Sequence, residues 1–314
     1  MCRIRAFEES ALEALAAGDV PGPLHPSIGQ EAVAVGVCSN LRRDDIVLST
    51  HRGHGHTLVK GASPEAMMRE LLGRAGGCCR GKGGSMHIAD FSVGMLGANG
   101  VVGANILIAT GAAHAITLRG EGRVVVCIFG DGAMNRGPFM EGLNWAQVYR
   151  LPVIFVCEDN QYAATTRTAT VSAGPGPAAR AESLGVAATT VDGNDVLALD
   201  DTMRDLVGAV RGGAGPHLVH ARTYRLTGHT GADKGLYRSA EEVEERRLDD
   251  PIARCAGWLL DAGVEHHVLD DVAARAQREM AAVLEAARNA PWPDPAHAFE
   301  DVQDLRGPGF PAIV

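Results

Sequence analysis

A carboxylate occupies the glycine-flanked turn Gly130-Asp131-Gly132, which directly follows the apolar run 124–129. Glycine turns at the ends of buried strands favour phosphate binding, because their bare backbone amides can approach phosphate oxygens closely. Asp131 would instead repel a diphosphate by a few kcal/mol at intermediate dielectric. A divalent cation between the two groups removes this conflict, with Asp131 as one of its oxygen ligands. The turn therefore predicts a diphosphate site bridged by a metal ion.

A second candidate ligand, Asn160, lies 29 residues further on, at the equivalent end of the next predicted strand. A right-handed β-α-β crossover brings two such strand ends close together. A carboxylate, an amide oxygen and a backbone carbonyl near Tyr162 would suit Mg²⁺ or Ca²⁺. The alternative interpretation is that Asp131 only caps the following helix and that Asn160 only closes a turn.

Cationic and imidazole side chains follow other predicted strand ends or stand in glycine-rich loops. Arg52 offers a planar fork that fits phosphate oxygens, although an arginine after a strand is more often a surface residue. The histidines concerned are His51, His54, His56, His87 and His229. The gaps between the first three do not match a usual zinc arrangement, so proton transfer or phosphate contact is the favoured function.

Two nucleotide-binding patterns are present but incomplete. Residues 76–82 fit the start of a P-loop, yet Gly83 follows where the metal-binding serine or threonine must stand, and no strand precedes them. The pattern Gly130-x-Gly132-x-x-Asn135 lacks the third glycine of a dinucleotide fingerprint, although Glu158 ends the next strand where a ribose-binding acid would lie. We reject both interpretations.

Buried strands alternate with helices through the middle of the chain. The predicted strands are 46–49, 123–129, 151–157, 186–191 and 218–225, and the helices between them are 64–72, 106–118, 138–150 and 195–211. This alternation predicts an α/β fold with a doubly wound, mainly parallel sheet flanked by helices. Such sheets bind ligands beyond the carboxyl ends of their strands, where the polar residues above cluster.

Two other stretches stand apart from this alternation. The glycine-dense span 73–103 is predicted to lack regular structure and, at roughly 30 residues, to be a functional loop. The charged run 241–247 begins a helical C-terminal portion that includes 271–288. We therefore divide the chain into a diphosphate-binding α/β domain, 1–240, and a C-terminal helical extension, 241–314.

Composition excludes several classes of function. The chain of 314 residues has a net charge of −9 and no basic cluster, which argues against nucleic acid as a partner. Its seven cysteines form no CxxC pair, as is typical of a reduced intracellular protein. No apolar stretch reaches the roughly 18 residues of a membrane span and no secretory leader is evident, so we expect a cytoplasmic protein without membrane contact.

Ordered sequence blocks across nearly the whole chain match a known family. The blocks are 25–32 (HPSIGQEA), 49–56, 80–87 (RGKGGSMH), 96–103 (LGANGVVG), 130–137, 151–162, 223–225, 228–229 and 237–239. In these blocks the chain resembles the alpha subunit of the thiamine diphosphate-dependent dehydrogenase component of 2-oxo acid dehydrogenase complexes, and within that family the acetoin dehydrogenase type.

The resemblance implies a role for individual residues. It gives Mg²⁺, with Ca²⁺ as an alternative, the ligands Asp131, Asn160 and the backbone carbonyl of Tyr162. The other expected contacts to the coenzyme, from its diphosphate to its aminopyrimidine, are His51, Arg52, Gly132, Ala133, Gly100, Val102 and His229. The candidates for catalytic proton transfer or substrate orientation are His229, His54 and His87.

The resemblance also implies partners. In this family the glutamate that activates the aminopyrimidine belongs to a beta subunit, and the coenzyme lies between the two chains. We therefore expect an alpha-two beta-two heterotetramer in which the extension 241–314 packs on the first domain and on partner subunits. A lipoyl-bearing acyltransferase is the expected acceptor of the acyl group.

The expected reaction is the cleavage of acetoin or the oxidative decarboxylation of a small, pyruvate-like 2-oxo acid, followed by acyl transfer to lipoamide. These substrates differ by few contacts, so the sequence leaves the choice open. Asp159 replaces a usual asparagine, and the segment 227–236 departs from the family pattern at Thr227, Thr230 and Lys234. Two alternatives therefore stay open: the same chemistry with a non-lipoyl acceptor in a specialised pathway, and a non-catalytic scaffold for a beta subunit.

Overall fold

A six-stranded parallel sheet forms the centre of the protein, as seen in a computed structural model that describes residues 1–300. Its strands are β1 (Ile46–Thr50), β2 (Met95–Asn99), β3 (Val125–Gly130), β4 (Val153–Asp159), β7 (Ala187–Asp192) and β8 (His217–Arg222). Their spatial order is β2-β1-β3-β4-β8-β7, and a separate antiparallel pair consists of β5 (Tyr162–Ala163) and β6 (Thr166–Arg167). The predicted α/β class with a parallel sheet is confirmed.

The two central strands are apolar because both of their faces are covered. Along β3, Val126 and Ile128 join the core on one side of the sheet, whereas Val125, Cys127 and Phe129 join the core on the other side. This alternation follows the two-residue repeat of a β-strand. A strand that is buried on both faces reads as a continuous apolar run, which is why β3 and β4 could be located from the sequence.

Helices cover both faces of the sheet. They are α1 (Cys2–Ala16), α2 (Glu31–Cys38), α3 (His54–Val59), α4 (Pro64–Leu71), α5 (Ala104–Leu118), α6 (Gly137–Val148), α7 (Pro177–Glu182), α8 (Val196–Arg211), α9 (Ala240–Arg247), α10 (Pro251–Asp261) and α11 (His266–Arg288). One layer contains α1, α2, α4, α8 and α11, and the opposite layer contains α5, α6 and α7. Among residues 1–300, no helix has both the length and the apolar character that a membrane span requires.

The prediction that residues 73–103 lack regular structure was wrong. This span contains β2 and two short 3₁₀ turns, Ser85–His87 and Phe91–Val93. Among residues 1–300, β2 is an edge strand that lies next to β1; Met95 and Ala98 are buried, and its other three residues are partly exposed. An edge strand of this kind needs no continuous apolar run, and the glycine at position 97 further weakens its sequence signal.

The long C-terminal helix α11 packs on the N-terminal helix α1 and on α4. Its buried residues Ala276, Met280, Leu284 and Ala287 recur at helical spacing and join the core on that side of the sheet. The division at residue 240 stays a prediction, and residues 301–314 of the predicted extension lie outside the described part of the chain.

Replacing Leu284 by alanine tests whether α11 belongs to the main folding unit. The side chain is buried, so we expect the free energy of unfolding of the whole chain to fall by about 2–5 kcal/mol in a single cooperative transition. Urea unfolding followed by far-UV circular dichroism measures this. Val268→Ala, at an exposed position of the same helix, serves as the control. An early, separate transition in Leu284→Ala would contradict a shared core.

Candidate functional site

The carboxyl ends of four neighbouring strands, β2, β1, β3 and β4, open into one cavity of about 320 Å³. β3 and β4 are in register, with Gly130 opposite Glu158, so the residues that follow them lie side by side. The predicted coenzyme-site residues that line this cavity are His51, Arg52, Gly100, Val102, Asp131, Gly132, Ala133, Asn160, Tyr162 and His229. The fold thus brings together residues that are far apart in the sequence.

One side of the cavity carries a buried acid. The Asp131 side chain is only 2% exposed and accepts a hydrogen bond from the Thr168 hydroxyl group. Burial, and then the negative charge of Asp159, raise the pKa of Asp131 to about 6, against the opposing effect of the Thr168 hydrogen bond. A positive charge beside this carboxylate would relieve the cost of its ionisation.

The neighbouring turn orients an amide and a backbone segment beside Asp131. Asn160 donates from Nδ2 to the side-chain oxygen of Gln30 (2.9 Å), and its Oδ1 accepts from the backbone amide of Tyr162 (3.2 Å). Gln161, between them, adopts a positive φ of 72°, which is uncommon for a residue with a side chain. These two contacts identify Oδ1 as the acceptor atom of the Asn160 amide. Oδ1 has a second lone pair that is available to a further ligand.

A contact from the C-terminal helices supports this turn. The Glu242 carboxylate, on α9, accepts hydrogen bonds from the phenol groups of Tyr162 (2.8 Å) and Tyr224 (2.9 Å). On the other flank, a methyl group added at Gly132 would lie 2.8 Å from the Cβ of Ala163, so glycine is required for β5 to approach the turn after β3. The acidic side of the cavity is therefore built by packing as well as by the strand ends.

The opposite side of the cavity carries two buried guanidinium groups. Arg52 is 3% exposed and donates to the carbonyl oxygens of Pro26 and His229, the latter at 3.1 Å. Arg225 is 1% exposed and donates to the carbonyl of Ala164 (2.8 Å) and to the Tyr237 hydroxyl (2.7 Å). Within residues 1–300 neither forms an ion pair with a carboxylate.

Burial shifts the pKa values of both guanidinium groups downwards. Burial and then the charge of Arg225 lower the pKa of Arg52 to about 9, and burial also lowers the pKa of Arg225. Burying two guanidinium groups that form no ion pair within residues 1–300 is costly, and for Arg52 the charges of Glu158 and Glu8 offset only part of that cost. The arrangement therefore favours binding of an anion, and a diphosphate would supply more than one negative charge.

Three histidines, His25, His51 and His229, line the same cavity as these arginines. The ring centroid of His25 lies 4.6 Å from that of His51 and 4.9 Å from that of His229. Burial, and next the positive charge of Arg52, lower the pKa values of His25 to about 3, His51 to about 2 and His229 to about 4. All three rings are therefore neutral at physiological pH.

The three imidazoles are close enough to share a metal ion, but their surroundings oppose it. Arg52 and Arg225 would repel a cation there, whereas they would attract an anion. His25 was missed as a site residue by sequence reasoning, although it opens the first matched block, 25–32. Its Nδ1 is buried without a hydrogen-bond partner, which a bound ligand could provide.

The structure places His54 and His87 outside the cavity lining. His54 is fully buried, with its Nδ1 3.0 Å from Glu8 Oε2 and its Nε2 3.0 Å from the Ser85 hydroxyl. Burial opposes ionisation of Glu8, but the charge and hydrogen bond of His54 and two hydrogen bonds from Ser27 outweigh it and lower the pKa of Glu8. This network ties α1 to the segment that leads into the cavity at Met86.

His87 is exposed at the edge of the site. Its Nδ1 lies 3.2 Å from the carbonyl oxygen of Gly83, and its Nε2 would lie 3.4 Å from a methyl group added at Gly100. Of the three predicted proton-transfer candidates, only His229 therefore lines the cavity itself. The catalytic roles of His54 and His87 stay predictions, and the contacts of His54 support a positioning role.

The side chain of Glu70 accepts hydrogen bonds from backbone amides of the glycine-rich segment that resembled a P-loop. The buried Glu70 carboxylate accepts four backbone hydrogen bonds, from the amides of Cys79, Gly81, Gly83 and Gly84, at 2.7–3.1 Å. The segment thus has the amide arrangement of an anion site, but the anion is part of the protein. This explains physically why the pattern at 76–82 is not a nucleotide site.

Comparison with known proteins identifies the family. The model of the dehydrogenase E1 component family matches residues 1–296, and the chain belongs to this family. Members are oxidoreductases that depend on thiamine diphosphate, so this chain is part of an enzyme of that class.

Individual relatives are alpha subunits. The chain is 41% identical over 303 residues to the alpha subunit of acetoin:2,6-dichlorophenolindophenol oxidoreductase from Bacillus subtilis, covering 96% of this chain and 91% of the relative. Its identity to the protein of the same name from Cupriavidus necator is 42% over 308 residues, with the same coverage. The alpha subunit of the pyruvate dehydrogenase E1 component from Rhizobium meliloti is 38% identical, covering 96% and 87%. Alpha subunits imply a beta subunit as partner.

Replacing Asp131 by asparagine should stabilise the metal-free chain at neutral pH. Because the pKa of Asp131 is raised in the fold to about 6, its ionised form costs stability above that pH. With a chelator at pH 7 we expect the free energy of unfolding to rise by about 1–3 kcal/mol. This gain in the free energy of unfolding of Asp131→Asn over the wild type should shrink as the pH falls from about 6 toward about 4. In that range Asp131 of the wild type takes up its proton in the folded state before it does so in the unfolded state.

Urea unfolding at several pH values measures this effect. Asp201→Asn, at an exposed position of α8, is the matched control and should change stability by less than about 0.5 kcal/mol. A loss of stability in Asp131→Asn at pH 7, under chelation, would show that the carboxylate is already compensated within the chain.

Replacing Glu70 by glutamine should loosen the glycine-rich segment. The glutamine amide group would face backbone donors that now share a carboxylate, so we expect a loss of about 2–3 kcal/mol. Hydrogen exchange of the amides of residues 79–84 should accelerate strongly. Glu65→Gln, on the exposed side of the same helix α4, is the control. Unchanged exchange in Glu70→Gln would mean that other contacts hold the segment.

Proposed function

We propose that this chain binds thiamine diphosphate through a divalent cation, Mg²⁺ or Ca²⁺, held by Asp131, Asn160 and the backbone carbonyl of Tyr162. The observation that carries the proposal is the charge separation within one cavity. A cation beside Asp131 would relieve the carboxylate, and the diphosphate would compensate Arg52 and Arg225. Hard oxygen donors of this kind suit Mg²⁺ and Ca²⁺, and neither sulfur nor imidazole lies in the proposed set.

The remaining coenzyme contacts follow the length of the cavity. We assign His51, Arg52, Gly132 and Ala133 to the diphosphate, where neutral imidazole and backbone amides can donate to its oxygens. Gly100 and Val102 are assigned to the aminopyrimidine at the open end. Val102 is 50% exposed although it is apolar, as expected for a side chain that a bound ring would cover.

His229 is the proposed proton-handling residue of this chain. It lines the cavity, and its lowered pKa keeps the ring neutral, so it can accept a proton or donate a hydrogen bond without adding charge. The backbone amide of His229 donates to Asp233 Oδ2 (2.6 Å), which fixes the loop that presents the ring. When bound, thiamine diphosphate supplies the carbon nucleophile that the side chains of the protein lack.

The proposed reaction is the cleavage of acetoin or the oxidative decarboxylation of a small 2-oxo acid such as pyruvate. The names of the relatives support these substrates, and the retained charge pattern of the cavity supports active chemistry rather than a scaffold alone. We propose that the acyl group passes to the lipoyl group of an acyltransferase component and that the enzyme works in the cytoplasm. All seven cysteines are free, as expected for a reducing compartment.

A beta subunit would complete the site in an alpha-two beta-two assembly. Val101 (63% exposed) and Val102 are apolar side chains at the open end of the cavity, where a partner chain would exclude water from the coenzyme. We assign part of the contact to the extension 241–314, whose helix α9 already supports Tyr162. This chain contributes the diphosphate half of the site.

A non-lipoyl acceptor is the second candidate. The loop 227–236 departs from the family pattern, and the Thr227 hydroxyl is buried there without a hydrogen-bond partner. A partner or acceptor that enters beside this loop could satisfy it. Turnover with an artificial dye but not with a lipoyl domain and coenzyme A would favour this candidate.

Calorimetry on the chain co-expressed with its beta subunit tests the proposed coenzyme site. We expect thiamine diphosphate to bind only with Mg²⁺ or Ca²⁺. Asp131→Ala should weaken binding at least about 100-fold, because a buried charge loses its partner. Asp201→Ala, at an exposed position, should bind normally. Equal binding by Asp131→Ala would contradict the proposed site.

Steady-state assays with acetoin and pyruvate then separate the functions. Lipoyl-dependent turnover that disappears in Asp131→Ala supports the dehydrogenase. Unchanged activity in that variant would favour the scaffold, since the chain would then contribute no coenzyme contact.

A further inference from the structure

The adjacent cysteines Cys78 and Cys79 form a thiol pair that the proposed function does not use. Both are partly exposed, at the start of the segment that Glu70 holds. The buried cysteines Cys38, Cys127 and Cys157 differ from them, because burial raises the pKa of each and keeps it in the unreactive thiol form.

A backbone amide contacts the sulfur of Cys79, whereas burial, Glu70 and Asp90 oppose ionisation of this thiol. Its Sγ accepts a hydrogen bond from the backbone amide of Ala89 (3.2 Å) and, as a thiol, donates to the carbonyl oxygens of His87 (3.4 Å) and Ala89 (3.6 Å). The hydrogen bond with Cys78 and the Ala89 amide lower the pKa of Cys79, while the same pairing raises the pKa of Cys78. Because the Ala89 amide contacts the sulfur of Cys79, we assign Cys79 as the nucleophile of the pair.

The nearby carboxylate does not make this pair a metal site. Ligand atoms of Glu70, Cys78 and Cys79 lie within 4.8 Å of one another. However, each Glu70 oxygen already accepts two backbone hydrogen bonds, which leaves it no lone pair for a cation. Two thiols alone do not complete a zinc coordination shell.

We propose that Cys78 and Cys79 are a reversible oxidation site for peroxides, at which the two residues close into a vicinal disulfide. The Cys79 thiolate attacks a peroxide oxygen; an S–O bond forms, the O–O bond breaks, and the leaving oxygen departs as water after protonation. The Cys78 sulfur then attacks the oxidised sulfur, an S–S bond forms and a second water leaves. Two thiols are oxidised by two electrons, and one hydrogen peroxide is reduced to two waters.

The bond would be readily reversible because of its position. Adjacent Cα atoms lie about 3.8 Å apart, below the usual range of about 4.4–6.8 Å for a disulfide. Such a constrained bond is easier to reduce than an ordinary structural disulfide. A cellular dithiol would therefore restore the thiols.

Closure would act on the cavity through the backbone. When Cys79 turns towards Cys78, its sulfur leaves the Ala89 amide and the His87 carbonyl, which hold the two ends of residues 79–89 together. Between these ends lie Ser85, which contacts His54, and Met86, which lines the coenzyme cavity. Oxidation would therefore loosen the wall of the cavity without touching the proposed metal ligands.

Peptide mass analysis tests this proposal on the full chain purified with its beta subunit. Trypsin cleavage after Arg74 and Arg80 releases residues 75–80, which contain both thiols and no other cysteine. After hydrogen peroxide treatment and alkylation, we expect this peptide to lose two hydrogen atoms and to carry no alkyl group. A dithiol reductant should reverse the change. Hydrogen exchange of residues 81–89 should rise on oxidation.

Two variants make the result decisive. In Cys79→Ser, Cys78 should be fully alkylated after peroxide treatment, and hydrogen exchange of residues 81–89 should not respond to peroxide. Cys255→Ser, at another partly exposed cysteine, should behave like the wild type. A doubly alkylated peptide after peroxide, or oxidation at Cys2 or Cys255 before this pair, would overturn the proposal. These readouts need no coenzyme, so their failure is independent of the proposed function.

Discussion

The separation of unlike charges across one poorly solvated cavity is the constraint on which the site depends. Asp131 is buried on one side and Arg52 and Arg225 are buried on the other, and within residues 1–300 none of the three forms an ion pair. Burial of each of these charges is costly, and the two sides are complementary to a cation bound to a diphosphate. The parallel sheet makes this separation possible, because adjacent strands deliver the acid and one arginine to different points along the same edge.

Residues that follow buried strands could be predicted from the sequence, because continuous apolar runs locate the strands and the sheet topology then places their ends. This explains why Asp131 and Asn160 were found together. His25 and Arg225 were missed as site residues for a different reason. His25 reaches the cavity from a segment outside the sheet. Arg225 was predicted to be the last residue of the strand 218–225, whereas β8 ends at Arg222 and Arg225 belongs to the segment that follows it.

His54 shows the opposite limit of sequence reasoning. Its place after a strand and beside a glycine favoured proton transfer or phosphate contact, and that role stays a prediction; the sequence did not indicate the buried contacts with Glu8 and Ser85 that the structure shows. The role of Glu70 also could not be predicted from the sequence, because only the three-dimensional structure shows that its carboxylate holds the glycine-rich segment. Together these residues order a span with little local preference for regular structure, and that span forms the wall of the cavity.

Crystals grown with Mn²⁺ and thiamine diphosphate provide the most direct test of the proposed charge arrangement. Our interpretation predicts an anomalous scattering peak within about 2.5 Å of a carboxylate oxygen of Asp131, the amide oxygen of Asn160 and the carbonyl oxygen of Tyr162, with diphosphate density on the arginine side. A peak centred instead among His25, His51 and His229, or coenzyme density without any ion beside Asp131, would contradict it.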